Sequence, residues 1–318
     1  MKSLICINSC NRLSEVKRNI IPYLSYCSNN DDFDFILSLD GDNQEYIEFC
    51  NQWEIPLIYS EQREGVGLSK NRVLSFFNQY DYYFFIEDDI ELINSNIFSK
   101  FISIFELTGY HHMSITPYRS KIGLEEINNE TITFANFGGA HFNFFTHIGL
   151  EKVGGWHTRF AKHKRFGHTE HTYRFYFQGL IPHPFCVLES GFKDILIHFP
   201  EMVTKSSVKS NHNKLVRDEQ ELVDSKLDFF PLQTISEITF NKFNLSSPCK
   251  PSLLKANDRY FLLNNSSKRK AKSSYIFHSF KFEKKIIKKL ILFINALFLY
   301  PTNNTIKHYV KTQLFGKK

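Results

Sequence analysis

The sequence predicts an α/β fold: a mostly parallel sheet with helices on both faces, followed by a basic, partly helical C-terminal tail. Two observations predict the sheet. Short apolar runs alternate with stretches of helical periodicity between residues 1 and 89. The runs are continuous, as strands covered on both faces require. A third observation places function on that sheet. The polar clusters Asn8–Arg12, Asp40–Asn43 and Glu87–Asp89 each follow an apolar run, and open parallel sheets bind ligands beyond the carboxyl ends of their strands.

Leu4–Ile7 is the first strand. Ser14 suits the N-cap of a helix reaching Tyr26, with Val16, Ile20, Tyr23 and Leu24 on one face. Phe33–Leu39 is the second strand, closed by the turn-forming Asp40-Gly41-Asp42-Asn43. A helix over Gln44–Trp53 and a strand over Pro56–Tyr59 follow. Leu68–Tyr80 reads as a helix, since Val73, Phe76, Phe77 and Tyr80 share one face. Tyr82–Ile86 is a fourth strand and runs directly into three carboxylates. Beyond it, Thr131–Phe137 alternates like a strand into Gly138-Gly139-Ala140. A helix over Thr146–Val153 stops at Gly154-Gly155, and one from Thr169 to Gln178 stops at Gly179. Val187–Leu188 and Ile195–Ile197 are short strands, the second leading into His198.

Composition narrows the class. With 33 Phe and 15 Tyr the chain has ample material for a core. The apolar stretch before Asn8 is too short for a secretory signal, and no run of eighteen apolar residues offers a spanning helix. The six cysteines form no Cys-x-x-Cys pair and read as small buried residues of a reducing compartment, which points to the cytoplasm. Charge divides the chain. Residues 246–318 carry 16 Lys and Arg against Asp258 and Glu283, a net +14, whereas residues 1–245 carry 23 against 31, a net −8. Such a split marks a body over 1–245 and an interaction-prone tail over 246–318.

Chemistry concentrates at Glu87, Asp88 and Asp89. Adjacent carboxylates repel and raise one another's pKa unless a cation offsets them. Their oxygens suit a hard divalent ion, Mn²⁺ or Mg²⁺, that also bridges phosphates. The plainer reading is a solvated acidic turn, and the apolar strand leading into the cluster weighs against it. Upstream, Gln62–Asn71 holds Gly65 and Gly67 before a helix. There, backbone N–H groups can approach an anion while Arg63 and Lys70 add positive charge. This stretch lacks the third glycine of a dinucleotide fingerprint and the Gly-Lys-Ser/Thr of a P-loop, so both readings fall.

Taken together, Ile5–Arg12, Phe35–Asp42, Gly65–Asn71 and Phe84–Asp89 resemble the N-terminal half of the family 2-like glycosyltransferases of the GT-A fold. That family shows Asn-Arg after the first strand, where Asn11-Arg12 stand, and a nucleotide-contacting Asp after the second, like Asp40. Its Ala-Arg-Asn is similar to Ser69-Lys70-Asn71. Its Asp-x-Asp metal motif is matched by Glu87-Asp88-Asp89, with Glu replacing the first Asp. The resemblance implies a nucleotide-sugar donor, most simply UDP-linked, held by Ser9, Asn11, Arg12, Asp40, Arg63, Lys70 and Asp88. It also implies a divalent metal on Glu87 and Asp89, with His198 as a third ligand. The alternative for His198 is a structural histidine at a strand end.

The second half resembles galactosyltransferase-like members through Gly138-Gly139-Ala140 and Gly154-Gly155-Trp156. Gly167–His171 then stands where that family has an acidic pair supplying the base of inverting enzymes. The pair is not preserved, and either Glu170 or His168 takes the base position. Glu170 and Arg174 are also spaced for an ordinary helical ion pair.

In the tail, Ile286, Ile287, Leu290, Ile291, Phe293 and Ile294 form an apolar face against Lys284, Lys285, Lys288 and Lys289. An amphipathic helix lying on an anionic membrane surface accounts for both, placing the protein peripherally on the inner face of the plasma membrane. Packing against the body is the other reading. Nothing resembles a nucleic-acid-binding module, so no nucleic acid is expected.

The expectation is therefore a metal-dependent inverting glycosyltransferase acting on a glycan or lipid-linked acceptor in cell-surface polysaccharide biosynthesis. Two alternatives stand beside it: a sugar-nucleotide nucleotidyltransferase and a non-catalytic nucleotide-sugar-binding scaffold. The first usually carries a Gly-rich Arg-Lys signature after the first strand, which Asn8–Arg12 lacks. Donor sugar, acceptor and linkage depend on loop shapes that no spacing rule fixes.

Overall fold

The first apolar run extends over Ser3–Ser9 as β1 and is buried along its whole length. Two parallel neighbours flank it, β2 (Phe33–Leu39) and β4 (Tyr82–Glu87), and β3 (Leu57–Ser60) continues the parallel order beyond β2. The chain winds outward through β1, β2 and β3, then returns on the other side of β1 as β4. Strand order therefore reverses between β1 and β4, where an α/β sheet opens its crevice. In a computed structural model of the protein, residues 1–76, 80–117, 119–157, 160, 167–198 and 243–245 are described. They lie within the first of two compact units, Met1–Lys268 and Arg269–Lys318. The expected body–tail boundary, the amphipathic tail and most of the loop between Trp156 and Arg165 fall outside the described residues. Among the described residues, no helix is long and apolar enough to cross a membrane.

Past β4 the sheet becomes mixed. β9 (Phe142–Thr146) runs antiparallel to both β4 and β6 (His112–Ile115), followed outward by β10 (Phe185–Leu188), β8 (Glu130–Gly138) and β7 (Arg119–Ile127). A short strand β12 (Phe243–Leu245) pairs antiparallel with β3 at the other edge. Separately, β5 (Ile90–Leu92) pairs with β11 (Ile195–Ile197), which returns the chain to the tip of β4.

Among the described residues six α-helices flank the sheet: α1 (Leu13–Asn29), α2 (Gln44–Trp53), α3 (Val66–Phe76), α4 (Asn96–Thr108), α5 (His147–Val153) and α6 (Gly167–Phe177). Alternation along β4 shows why both faces need cover. Phe84 meets Phe98 of α4 at 4.9 Å, and Tyr26 of α1 stacks on Phe98 at 4.8 Å. Phe85, on the opposite face, meets Trp156 at 5.3 Å, and Phe145 beside it meets His171 and Phe175 of α6. Each such buried ring contributes on the order of 1.5–3 kcal/mol through area removed from water.

Local departures from the sequence reading have local causes. Ser14 is not the cap of α1. The helix starts at Leu13, because the Arg12 carbonyl already accepts the Glu15 and Val16 N–H groups, and Arg12 caps without a side-chain bond. The helix also runs past Tyr26 to Asn29 through the internal Pro22. β6 and β9 escape an apolar scan because buried His112 and Asn143 interrupt them. α4 was legible all along: Ile97, Phe98, Phe101 and Ile104 recur at helical spacing.

A glycine at the end of β8 tests the packing near the crevice. A Cβ on Gly138 would stand 2.6 Å from Cδ1 of the buried Phe185 ring, and a rigid ring can only move as a whole. Gly138→Ala should therefore cost about 1–3 kcal/mol, the usual penalty of overpacking, read as a lower denaturant midpoint at unchanged slope.

Candidate functional site

Pairing register brings the polar clusters to one rim. Asn8 of β1 lies opposite Glu87 of β4, and Ser9 opposite Leu39, so Asp40 follows on the neighbouring strand. Asp40 is held there by its own N–H donating to the Ser9 carbonyl at 2.9 Å.

Asp88 is the most enclosed of the three carboxylates, with its side chain 0% exposed. A directed chain of hydrogen bonds ends on it. The Arg12 N–H donates to the Tyr46 hydroxyl at 2.7 Å, Tyr46 donates to Ser9 Oγ at 2.6 Å, and Ser9 donates to Asp88 Oδ2 at 2.5 Å. The Arg12 guanidinium closes the ring: Nε reaches Asp88 Oδ2 at 3.2 Å, Nη2 pairs with Oδ1, and Nη1 reaches Asp89 Oδ2 at 3.2 Å. Asn19 of α1 fixes the backbone by donating to the Asp88 carbonyl at 2.8 Å. The sequence reading had given Ser9, Arg12 and Asp88 to the donor. In the structure they bind one another. Asn11, beside them, is exposed in the left-handed region at φ 54°, where asparagine is tolerated.

Burial dominates the electrostatics. It pushes Glu87 up to about 7, with Asp89 adding repulsion while Lys70 and Arg12 pull downward. Burial likewise pushes Asp88 up to about 7 against the opposing pull of Arg12 and the Ser9 hydrogen bond. Asp89 keeps one oxygen, Oδ1, buried with no hydrogen-bond partner, and the residue is 6% exposed. An orphaned carboxylate oxygen beside Glu87 fits a hard cation. Among the described residues, no group of three or more His, Cys, Asp or Glu side chains is assembled at metal-binding distances. His198 explains part of that. The β5–β11 ribbon brings its N–H onto the Asp89 carbonyl at 2.8 Å, but its imidazole turns to Glu91 at 2.6 Å. It stands beside Asp89 without facing the carboxylate.

The glycine loop before α3 also finds a partner within the chain. Asp40 Oδ1 accepts the Glu64 N–H at 2.7 Å and the Gly65 N–H at 2.9 Å, with Arg63 Nε 3.5 Å from Oδ2. Gly65 supplies the positive φ of 102° that turns its N–H inward. The anion cradled here is Asp40 itself. One turn later, Lys70 is 2% exposed, its Nζ 5.1 Å from the Trp156 ring centroid and 5.8 Å from that of Phe85. Burial lowers its pKa, and Glu87 counters the shift.

Trp156 is held in place by Asn71 of α3 and by residues of α6, where the expected Glu170–Arg174 ion pair forms. Asn71 donates to its carbonyl and accepts its N–H, both at 2.7 Å. From α6, His171 Nε2 lies 2.8 Å from the Gly154 carbonyl, and Arg174 donates to Val153 O at 2.7 Å and Gly155 O at 2.6 Å. Glu170 holds Arg174 in a two-point pair at 2.6 and 3.0 Å, both residues being 2% exposed. Of the two candidates for a base, Glu170 thus belongs to the clasp around Gly154–Trp156. His168 faces the other way. Its ring meets His112 at 5.8 Å and Phe185 at 5.6 Å, and its nitrogens are shielded from solvent with no side-chain partner. Its pKa is driven well below the usual range by burial first, then by His112, Lys70 and His141, while the Gly139 backbone pulls upward. His168 is therefore neutral and within electrostatic reach of Lys70.

His141 is a further rim residue missed in the sequence. Its carbonyl accepts the Glu87 N–H at 2.9 Å, and its imidazole, bonded to Thr116 Oγ1 at 3.2 Å, interacts with Asp89. The usable signal was its place, two residues past the glycine pair that ends β8. His112 is structural, since Phe144 O at 2.8 Å and Thr172 Oγ1 at 3.1 Å occupy both nitrogens and burial pushes it down to about 3.

The sheet, with its parallel half over β1–β4 and its strand order reversing between β1 and β4, is that of a GT-A-like α/β protein. No protein-family model and no curated protein sequence matches the chain. Solved structures do. The S. aureus TarS 1-349 fragment in complex with UDP is 10% identical, with 99% of this chain and 88% of that one covered at a TM-score of 0.51. The Pyrobaculum calidifontis mannosyltransferase PcManGT, in complex with GDP-Man and Mn²⁺, is 11% identical over 98% and 84% at 0.46. In the UDP-GlcNAc complex of the TarS fragment, the match covers 47% of this chain and spans about half of that one, 46%, at 0.37 and 10% identity. Of these three only the first exceeds a TM-score of 0.5, and at its identity it establishes the fold.

Charge burial predicts a pH dependence. Glu87 binds its proton more tightly in the folded chain than in the unfolded one, so its stabilising contribution is complete below about 4.5 and is lost as pH rises through about 7. Without divalent ions, Glu87→Gln should be more stable than wild type at pH 7.5 by roughly 1–3 kcal/mol. The gap should close at pH 4.5. Thermal melts across that range check both statements.

Proposed function

We propose that the chain is an inverting glycosyltransferase that moves a sugar from a nucleotide-sugar donor, most simply UDP-linked, to a hydroxyl of a glycan or lipid-linked acceptor. One observation carries the reading: Glu87 and Asp89, with Arg12 and Lys70 around them, sit at the strand-order reversal of a GT-A-like sheet. Separating a nucleoside diphosphate from a sugar builds negative charge, and this rim has cationic groups and an ion-competent carboxylate pair to receive it. A divalent cation on Asp89 and Glu87 would offset the leaving diphosphate. Lys70, buried and thinly solvated, adds a fixed positive charge that is worth more there than in water.

His168 is the base in this proposal. Glu170 is spent on Arg174, whereas His168 is neutral, has no side-chain partner and shares the field of Lys70. A neutral imidazole accepts a proton from an acceptor hydroxyl as the hydroxyl attacks the anomeric carbon. An arriving diphosphate raises its basicity by offsetting Lys70 and His141.

Three substitutions separate the roles. Asp89→Ala should abolish transfer and hydrolysis of a UDP-sugar in a coupled assay of UDP release, and full activity would reject the assignment. His168→Ala should lower kcat by about 10²–10⁴ with donor KM little changed. Glu170→Gln should first lower the melting temperature, because it leaves Arg174 buried without its counter-charge. A thermal-shift screen of UDP-, GDP- and CMP-sugars with Mn²⁺ identifies the donor nucleotide, and donor binding without turnover would favour a scaffold.

A further inference from the structure

We propose that Arg12 is a resident counter-cation of the carboxylate rim, one that opposes the divalent ion in the absence of a donor and is drawn off by the donor's diphosphate. The inference rests on the glycosyltransferase reading of this rim and adds an order of binding to it.

Arg12 spans two carboxylates. Nη2 and Nε engage Asp88, and Nη1 lies 3.2 Å from Asp89 Oδ2. Asp89 is left with one buried, unpartnered oxygen, Oδ1, on a side chain 9% exposed. A dication coordinated by Oδ1 would share that carboxylate with a guanidinium already on Oδ2. In a poorly solvated rim, two cations that close repel strongly.

Arg12 is also the member of the cluster best able to leave. Its side chain is 30% exposed, against 0% for Asp88 and 9% for Asp89, and it stands at the junction of β1 and α1 beside the positive-φ residue Asn11. Guanidinium groups bind phosphate oxygens in two-point fashion at least as well as they bind carboxylates. A diphosphate arriving at the rim therefore competes for Arg12 with Asp89 and removes the repulsion that keeps the ion out. Asp88 keeps the Ser9 hydrogen bond when Arg12 swings, so its burial stays partly compensated. Donor and ion should bind with positive coupling transmitted through Arg12.

The test is a Mn²⁺ titration of the full chain, followed by the electron-paramagnetic-resonance signal of free ion, with and without UDP. Without UDP, Arg12→Gln should bind Mn²⁺ about tenfold or more tightly than wild type, equivalent to ~1.4 kcal/mol or more. UDP should tighten Mn²⁺ binding strongly in wild type and much less in Arg12→Gln. Equal or weaker ion binding by the variant, or the same UDP effect in both proteins, overturns the proposal. Arg12→Lys covers the case in which the glutamine variant does not fold: a single ammonium cannot span both carboxylates, so its ion affinity should fall between the two. An affinity no greater than wild type in that variant is equally fatal. Asp89→Asn distinguishes the underlying reading. If it leaves Mn²⁺ binding intact in both the wild-type and Arg12→Gln backgrounds, the ion is not held at this rim and the functional reading fails. If it removes binding while Arg12→Gln changes nothing, only the role of Arg12 fails.

Discussion

The structure is organised around negative charge that burial forces together. Glu87, Asp88 and Asp89 leave the tip of a strand whose preceding residues, Tyr82–Ile86, are all buried, so the backbone gives the acids little freedom to retreat into water. Carboxylates in that position either take up protons or recruit positive partners. The chain provides partners from two elements. Arg12 comes from the turn after β1, and Lys70 from the first turns of α3, where Trp156 and Phe85 enclose it. Arg12 reaches the rim because β1 lies between β2 and β4, which sets the loops after these strands side by side, and Lys70 comes to it from the helix that follows β3.

This constraint explains why groups read as ligand contacts turn out to be bound within the chain. Asp40 takes the N–H groups that a glycine loop was expected to offer a phosphate, and Ser9 and Arg12 take Asp88. Such internal bonds preorganise the rim. A site with several like charges needs internal counterparts to fold at all, and each counterpart becomes a group that a ligand of the right charge can exchange. The same economy governs α6. Arg174 and His171 hold the carbonyls of Val153, Gly154 and Gly155, fixing Trp156 over Lys70, and Glu170 keeps Arg174 charged while buried. Glu170 thereby acts on the surroundings of Lys70 through Arg174 and Trp156.

The parallel half was legible because its signals are local. Continuous apolar runs mark strands buried on both faces, and each ends in polar residues whose positions on the rim follow from topology alone. Within that half, the register sets the ends of β1, β2 and β4 side by side, so the polar clusters after them share one rim as their places after the apolar runs implied. The second half was harder for a physical reason. Apart from the parallel pair β6 and β10 its strands are antiparallel, and they carry buried polar residues such as His112 and Asn143, which bond to carbonyls of neighbouring strands and so break the hydrophobic pattern. Partnerships such as Asn71 with Trp156 link positions 85 apart in sequence and leave no periodic trace. His198 shows the limit of spacing arguments. The strand before it was read correctly and delivers it to Asp89, yet the direction of its imidazole is decided by Glu91 on the paired strand.

The division between Glu170 and His168 follows from helix geometry. The two residues are two apart on α6, about 200° around the axis, so they cannot serve the same side. One side of α6 is taken up by the Gly154–Trp156 turn, which demands hydrogen-bond donors for three carbonyls and therefore an arginine with its counter-charge four residues earlier. The opposite side meets His112 and Phe185 on the sheet and holds His168, whose nitrogens have no side-chain partner. Placing the acid on the clasp side leaves the side that faces His112 and Phe185 to a neutral group in the field of Lys70.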